Sequence, residues 1–185
     1  MDNGDLMEIQ DLDQPDEWKQ EWIQFSKDPY GFIMFSGKNG TGKTVASEAI
    51  MNSVFVPVHL EKLFYTQSDL NRIWLSDIKK WGDIWYLTDR LCNAALLVLD
   101  DLGTRIPSEA FIDFLYTVIE KRDRRKTEIG TIITTNLNSL QFREMFGDAI
   151  TSRGCSGWIY KFEGNDRRYQ KSKARKHHVL NENFR

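Results

Sequence analysis

The fold of this chain is decided by the stretch Gly37-Lys38-Asn39-Gly40-Thr41-Gly42-Lys43-Thr44. It matches the pattern G-x-x-x-x-G-K-[ST] at every fixed position, and such a loop wraps around phosphate groups. The apolar run 31–36 before it has the length of a strand, and residues 45–51 after it carry apolar side chains at helical spacing. The sequence therefore predicts a strand, a phosphate-binding loop and a helix in this order.

The residue types of this loop suit the chemistry of phosphate binding. Its glycines permit backbone angles and close approaches that a Cβ would prevent. Backbone amides at the start of the following helix would point at phosphate oxygens. The Lys43 side chain would reach the β- and γ-phosphates, and the Thr44 hydroxyl would ligate Mg²⁺. The predicted nucleotide-binding residues are Gly37, Lys38, Asn39, Gly40, Thr41, Gly42, Lys43, Thr44 and Val45.

Length and composition are those of one soluble globular domain. The chain has 185 residues, of which 41% are hydrophobic and 28% charged. It has no apolar run of about 18 residues, so no membrane span is expected. The start of the chain is acidic and unlike a secretion signal. Cys92 and Cys155 are therefore expected to be reduced thiols in a cytoplasmic protein.

Charge is distributed unevenly along the chain. Residues 1–30 carry nine acids against two lysines, and residues 161–185 carry eight bases against three acids. The basic tail suits nucleic acid or an acidic protein surface, and the alternative is a solvated terminus. A second basic cluster could face DNA or could be a solvated helix end. It consists of Lys121, Arg122, Arg124, Arg125 and Lys126.

The hydrophobic pattern alternates between strand-like and helix-like segments. Strands are predicted at 31–36, 63–66, 95–99, 131–135 and 158–162, with a weaker one at 54–60 that contains Pro57. Helices are predicted at 15–27, 45–51, 69–80 (capped by Ser68), 87–93, 108–125 (capped by Ser108), 140–146 and 148–153. Residues 1–13 are expected to be loosely held. This alternation predicts an α/β fold whose parallel sheet is covered by helices on both faces.

Two acids follow directly after the buried strand 95–99. A carboxylate at the carboxyl end of such a strand can face the crevice in which nucleotides bind. Asp100 would hold Mg²⁺, directly or through water, and Asp101 would orient or deprotonate the attacking water. The alternative is a pair of acids in a turn or at a helix start.

Two further polar residues fit the same site. Asn136 follows the strand 131–135 and could sense the γ-phosphate, although asparagine after a strand is usually a turn residue. Arg153 lies beyond the catalytic strands. It could act as an arginine finger toward a neighbouring subunit or could be an ordinary surface arginine.

Taken together, these residues resemble the AAA+ ATPases, and within them the DnaC-type helicase loaders and the IstB-type transposition helper ATPases. The resemblance covers residues 30–168, and its Asp-Asp-Leu-Gly and Ile-Ile-Thr-Thr-Asn-Leu segments are specific to this branch. The matching segments are 37–44, 96–103, 131–137, 147–153 and 162–168. The family's fold is a P-loop NTPase fold with an AAA+ core, which implies ATP and Mg²⁺ as cofactors.

The resemblance also implies individual roles. Asp100 would be the Mg²⁺ acid, Asp101 the water-activating acid, Asn136 the phosphate sensor and Arg153 the finger acting in trans. Arg168 would lie near the nucleotide or the subunit interface. The basic pair Lys121-Arg122 would lie near the subunit interface or DNA.

We therefore expect three segments: an acidic tail and helix (1–29), an AAA+ ATPase core (30–168) and a basic tail (169–185). The loaders carry a sizeable N-terminal helicase-binding domain, whereas here about 30 residues precede the first strand. No clear C-terminal lid is expected, since 17 residues follow Arg168.

The expected function is that of a slow ATPase which loads or remodels a replicative helicase. Its partners would be the helicase, DNA (single-stranded rather than duplex) and further copies of itself, joined through Arg153 when ATP is bound. One alternative is a transposition helper ATPase that assembles on duplex DNA. Another is a nucleotide-gated adaptor with little turnover. A small-molecule kinase is disfavoured by the paired acids together with Asn136 and Arg153.

Overall fold

The computed structural model describes residues 7–81 and 85–164. Its strands are β1 (Gly31–Gly37), β2 (Lys62–Thr66), β3 (Leu96–Leu102), β4 (Gly130–Thr135) and β5 (Trp158–Phe162). Its helices are α1 (Asp16–Lys27), α2 (Lys43–Ser53), α3 (Gln67–Trp81), α4 (Trp85–Asn93), α5 (Glu109–Asp123) and α6 (Ser139–Gly154), and a short 3₁₀ helix spans Ile9–Asp11.

The five strands form one parallel sheet in the order β2-β3-β4-β1-β5. Successive side chains of a strand point to opposite faces, so one strand can contribute to two cores. Phe32 and Met34 face the core formed with α3, α4, α5 and α6. Ile33 and Phe35 face the core formed with α1 and α2. The predicted α/β architecture is confirmed, with helices on both faces of the sheet.

The N-terminal segment differs from its prediction. Ile9 and Leu12 are buried and belong to the core on the α1–α2 side. The aromatic residues of α1 also pack in this core, with Trp22 and Phe25 buried. Two apolar residues three positions apart were too weak a pattern to reveal the packing of residues 9–12.

The strand predicted at 54–60 is wrong. The segment is irregular, and Val58 is fully exposed there. Val54 ends α2, because its N–H donates to the Ile50 carbonyl at 3.1 Å. Since Pro57 has no N–H to donate to a sheet, the apolar composition of this segment does not produce a strand.

Two helix boundaries also differ. The Ser68 cap is wrong, because α3 begins at Gln67 and the Thr66 hydroxyl accepts the Asp69 N–H at 3.1 Å. The helices predicted at 140–146 and 148–153 are the two parts of α6, which meet at a kink at Gly147. The Ser108 cap of α5 is confirmed, since its hydroxyl accepts the Phe111 N–H.

Within the described ranges, none of the helices combines the length and the apolar character needed to cross a bilayer.

Candidate nucleotide-binding site

The phosphate loop joins the carboxyl end of β1 to the start of α2, as predicted. Gly37 has φ +143°, and a Cβ there would lie 2.1 Å from the carbonyl oxygen of Phe162. Gly42 precedes the first residue of α2 in the left-handed conformation, with φ +100°. The loop geometry and its approach to β5 therefore require glycine at both positions.

Lys43 folds back over the loop. Its side chain is buried, and its Nζ donates to the carbonyl oxygens of Gly37 and Lys38 at 2.8 Å each. The Thr41 hydroxyl donates to the same Lys38 carbonyl at 2.9 Å. These bonds hold a positive charge at the centre of the loop, where it can interact with the phosphates of a nucleotide.

Thr44 and Asp100 meet at the carboxyl edge of the sheet, although 55 residues separate them in the sequence. The Thr44 hydroxyl lies 3.1 Å from each carboxylate oxygen of Asp100. Burial raises the pKa of Asp100, and the nearby charge of Asp101 adds to this, while a hydrogen bond from Thr134 opposes it. A hydroxyl and a carboxylate are hard oxygen donors of the kind that Mg²⁺ prefers, with phosphates and water as its other ligands. This pair therefore fits the predicted metal role.

Asp101 has an unusual backbone. It is the one non-glycine residue with positive φ among those described, at +56°. Its N–H donates to the Thr134 hydroxyl at 2.9 Å, and its side chain lines the same pocket as Lys43. The structure thus brings Asp101 to the phosphate loop, where the water-activating role requires it.

Asn136 lines this pocket as well. Its Oδ1 is buried and has no hydrogen-bond partner within the described residues. An unpaired buried amide oxygen costs free energy unless a partner arrives. The Asn136 side chain thus lies at the predicted site, and its role as a phosphate sensor stays a prediction.

The pocket has a volume of about 460 Å³. It is lined by the phosphate loop with Asp101 and Asn136, and also by the N-terminal segment, including Leu12 and Gln14. The Oε1 of Gln14 is a second buried oxygen without a partner in the described part of the chain. The sequence did not reveal this part of the pocket, because no pattern in residues 11–14 indicates a binding site.

Gln67 is another residue that the sequence did not reveal. It is buried at the start of α3, where its Oε1 accepts the Gly103 N–H at 2.7 Å and its Nε2 donates to the Arg105 carbonyl at 2.9 Å. These two bonds connect α3 to the loop that follows the two acids.

Arg153 does not line the pocket of its own chain. It lies in the last turn of α6, which begins after β4 and ends before β5, so it is at the sheet edge opposite the phosphate loop. Its guanidinium donates to the Ala149 carbonyl at 3.1 Å and stacks over the Tyr116 ring at 5.4 Å. Its Nε lies 3.9 Å from the Asp123 carboxylate.

The prediction for the basic cluster at the end of α5 is partly wrong. Arg122 is completely buried, so the prediction that it faces DNA or a subunit interface is wrong. Most of its neighbours are paired with local acids: Arg124 with Glu120, Arg125 with Glu128 and Lys126 with Asp123. Lys121 lies over the Trp85 ring. The predicted roles of Arg168 and of the basic tail concern residues outside the described ranges.

The sheet order, the phosphate loop and the Thr44–Asp100 pair define a P-loop nucleotide-binding protein with an AAA+ core. Residues 12–154 match a protein family described as "IstB-like ATP binding protein". Since this match covers most of the chain, the chain belongs to the family of IstB-like ATP binding proteins.

Curated relatives include the replicative helicase loader DnaC of Escherichia coli K12, which is 27% identical over 131 residues. The match covers 69% of this chain and 52% of that protein, so the chain spans about half the length of the curated relatives that it matches.

Solved structures share the fold. AMPPCP-bound DnaA from Aquifex aeolicus has a TM-score of 0.72 at 17% identity, covering 91% of this chain and 54% of that one. The DnaC helicase loader has a TM-score of 0.70 at 20% identity, covering 84% of this chain and 96% of that one. At these identities the likeness concerns the fold alone.

Proposed function

We propose that this protein is an ATP-dependent AAA+ ATPase of DNA replication that loads or remodels a replicative helicase. The observation that carries the nucleotide part is the pairing of Thr44 with Asp100, in reach of a pocket that also contains Lys43, Asp101 and Asn136. The helicase part is supported by the similarity to the loader DnaC.

Each residue of the pocket has a distinct role in this proposal. Lys43 leaves its carbonyl partners and binds the β- and γ-phosphates, while the amides of the loop bind the remaining phosphate oxygens. Thr44 and Asp100 would hold Mg²⁺, which would neutralise phosphate charge. Asp101 orients or deprotonates the attacking water, and the Asn136 amide detects the γ-phosphate.

The nucleotide assignment is tested by Lys43→Ala. We expect tight binding of fluorescent ATP to be lost, because no other lysine lines the pocket among the described residues. Lys27→Ala is the control, since Lys27 is exposed at the end of α1 and does not line the pocket. Unchanged affinity in Lys43→Ala would refute the assignment.

Arg153 acts in trans in this proposal. Its position at the far edge of the sheet keeps it from its own pocket, so hydrolysis would need the Arg153 of a neighbouring subunit. Lys43→Ala and Arg153→Ala should each be inactive alone, and their mixture should recover activity. In the mixture, the intact pocket of one variant receives the intact arginine of the other. Arg143→Ala is the control, because Arg143 is exposed and pairs within α6 with Asp148.

A mixture that stays inactive would refute the role in trans, as would Arg153→Ala with undiminished hydrolysis.

Light scattering on a size-exclusion column tests the partner. The protein would be mixed with the replicative helicase of its source organism, with and without ATP and Mg²⁺. A complex whose mass depends on ATP supports the loader proposal, and Lys43→Ala should not form it. A self-assembly that forms only with ATP and duplex DNA, and weakens steeply with salt, would instead support a transposition helper, the alternative that the IstB-like family match favours.

A third outcome concerns turnover. A steady-state ATPase rate at background, with nucleotide binding intact, would support the nucleotide-gated adaptor. We further propose that the loader contacts single-stranded DNA rather than duplex, which binding of labelled oligonucleotides of both kinds would test.

A further inference from the structure

The acids of the nucleotide site are connected by one hydroxyl group. Thr134 is the next-to-last residue of β4, near the carboxyl edge of the sheet, and is completely buried. Its Oγ1 is 2.6 Å from the Asp100 Oδ1, to which it donates, and it accepts the Asp101 N–H at 2.9 Å. Within the described part of the chain, no other side chain is hydrogen-bonded to both acids.

The strand register explains this arrangement. Leu99 pairs with Ile133 and Leu102 pairs with Thr135, so two residues of β3 lie opposite the single residue Thr134. This is a β-bulge, which re-aims side chains and interrupts the ladder of backbone hydrogen bonds. The Thr134 hydroxyl supplies the acceptor that the Asp101 N–H would otherwise lack.

The bulge also sets the directions of the two acids. Asp101 adopts φ +56°, a conformation that non-glycine residues rarely occupy. This backbone turn allows Asp101 to line the pocket while the preceding Asp100 contacts Thr44. Since the Thr134 hydroxyl has one proton and accepts from Asp101, it donates to Asp100 and so favours the carboxylate that a cation needs.

We propose that Thr134 is a positioning residue for ATP hydrolysis, because its hydroxyl holds the metal-binding acid and the water-activating acid in their working directions. This inference rests on the proposed ATPase function. Loss of the hydroxyl removes a donor to Asp100 and leaves the Asp101 N–H without its acceptor. Hydrolysis and cation binding should then fall. The phosphate loop should still bind nucleotide, because the hydroxyl bonds of Thr134 go to Asp100 and Asp101 rather than to the loop.

The test uses Thr134→Val, which keeps the shape of the side chain and removes the hydroxyl, and Thr134→Ser, which restores it. Thr131→Val is the matched control. Thr131 is buried in the same strand, but its hydroxyl accepts from Arg122 rather than contacting the acids.

Three quantities would be measured: steady-state ATP hydrolysis, Mn²⁺ affinity of the ADP complex by electron paramagnetic resonance, and thermal unfolding. We expect Thr134→Val to lower kcat about 10- to 100-fold, as for residues that orient metal ligands, with KM for ATP changed less than about threefold. Its Mn²⁺ affinity should fall about tenfold. Thr134→Ser should recover most of both, and Thr131→Val should change only the unfolding temperature.

Turnover and Mn²⁺ affinity within twofold of the unsubstituted protein in Thr134→Val would overturn the proposal. Thr134→Ser as impaired as Thr134→Val would also overturn it, because the methyl group rather than the hydroxyl would then be responsible. If the unsubstituted protein shows no hydrolysis, the proposed function fails, and the Mn²⁺ affinities of the variants still decide the role of Thr134.

Discussion

Arg122→Met should destabilise the fold strongly. The guanidinium of Arg122 is completely buried and has no carboxylate partner in the described part of the chain. It donates to the Leu91 and Ala94 carbonyls at 2.7 and 2.9 Å, to the Thr131 hydroxyl at 2.8 Å and to the Gly130 carbonyl. It thereby connects the end of α4 to the start of β4. Burial lowers the pKa of Arg122 to about 9, so the group is still charged at neutral pH.

The magnitude follows from the acceptors that methionine would leave. The Leu91 carbonyl lies in the last turn of α4 and has no intrahelical partner, and the Ala94 carbonyl follows directly after that helix. Each buried acceptor left unpaired costs about 1–3 kcal/mol. Part of this is offset, because methionine also removes a buried charge that is costly to desolvate. We expect a net loss of about 3–5 kcal/mol, a large fraction of the stability of a domain.

Urea unfolding followed by circular dichroism would measure this loss at pH 7. Arg124→Met is the control, because Arg124 is exposed and forms one ion pair with Glu120, worth at most about 0.5 kcal/mol. Arg122→Lys should also be destabilised, since one ammonium cannot reach acceptors on both α4 and β4. A loss below about 1 kcal/mol in Arg122→Met, with an unchanged denaturant slope, would refute the reasoning.

Three further outcomes are expected. Asp100→Asn should unfold at a higher temperature than the unsubstituted protein at pH 7 without nucleotide. The raised pKa of Asp100 means that its ionisation lowers stability as pH rises through that pKa, so the difference should vanish near pH 4. Gly37→Ala should cost about 1–3 kcal/mol in urea unfolding and abolish ATP binding, while Gly147→Ala, with positive φ but open space, should retain binding. We expect the unpaired Oε1 of Gln14 to accept a hydrogen bond from the adenine amino group. Gln14→Leu should therefore weaken ATP binding about three- to tenfold in fluorescence titration, but leave binding of purine riboside triphosphate, which lacks that amino group, unaffected.

The phosphate loop and the strand–helix alternation were predictable because their signals are local. The loop is a contiguous motif, and the periods of helices and strands repeat within a few residues. The same holds for Asp100, Asp101 and Asn136, since parallel strands bring their carboxyl ends to one edge of the sheet. The structure places all three beside the phosphate loop.

The errors have a common origin. Residues 54–60 have the composition of a strand but no neighbouring strand to pair with, and a strand forms only with a partner. Arg122 belongs to a basic cluster whose charge predicts an exposed position, yet the end of α4 and the start of β4 enclose its side chain. Ile9 and Leu12 appear in a polar segment, yet they cover α2.

The sequence by itself determined the class of this protein, because the phosphate loop is a contiguous motif and the alternation of strands and helices can be recognised along the chain. Only the tertiary structure decided that Thr134 bridges two acids, that Gln14 lines the pocket and that Arg153 packs against Tyr116 outside it. Each of these depends on a partner far away in the chain, and the distance between such partners is fixed by the packing of the whole sheet and its helices rather than by any local pattern.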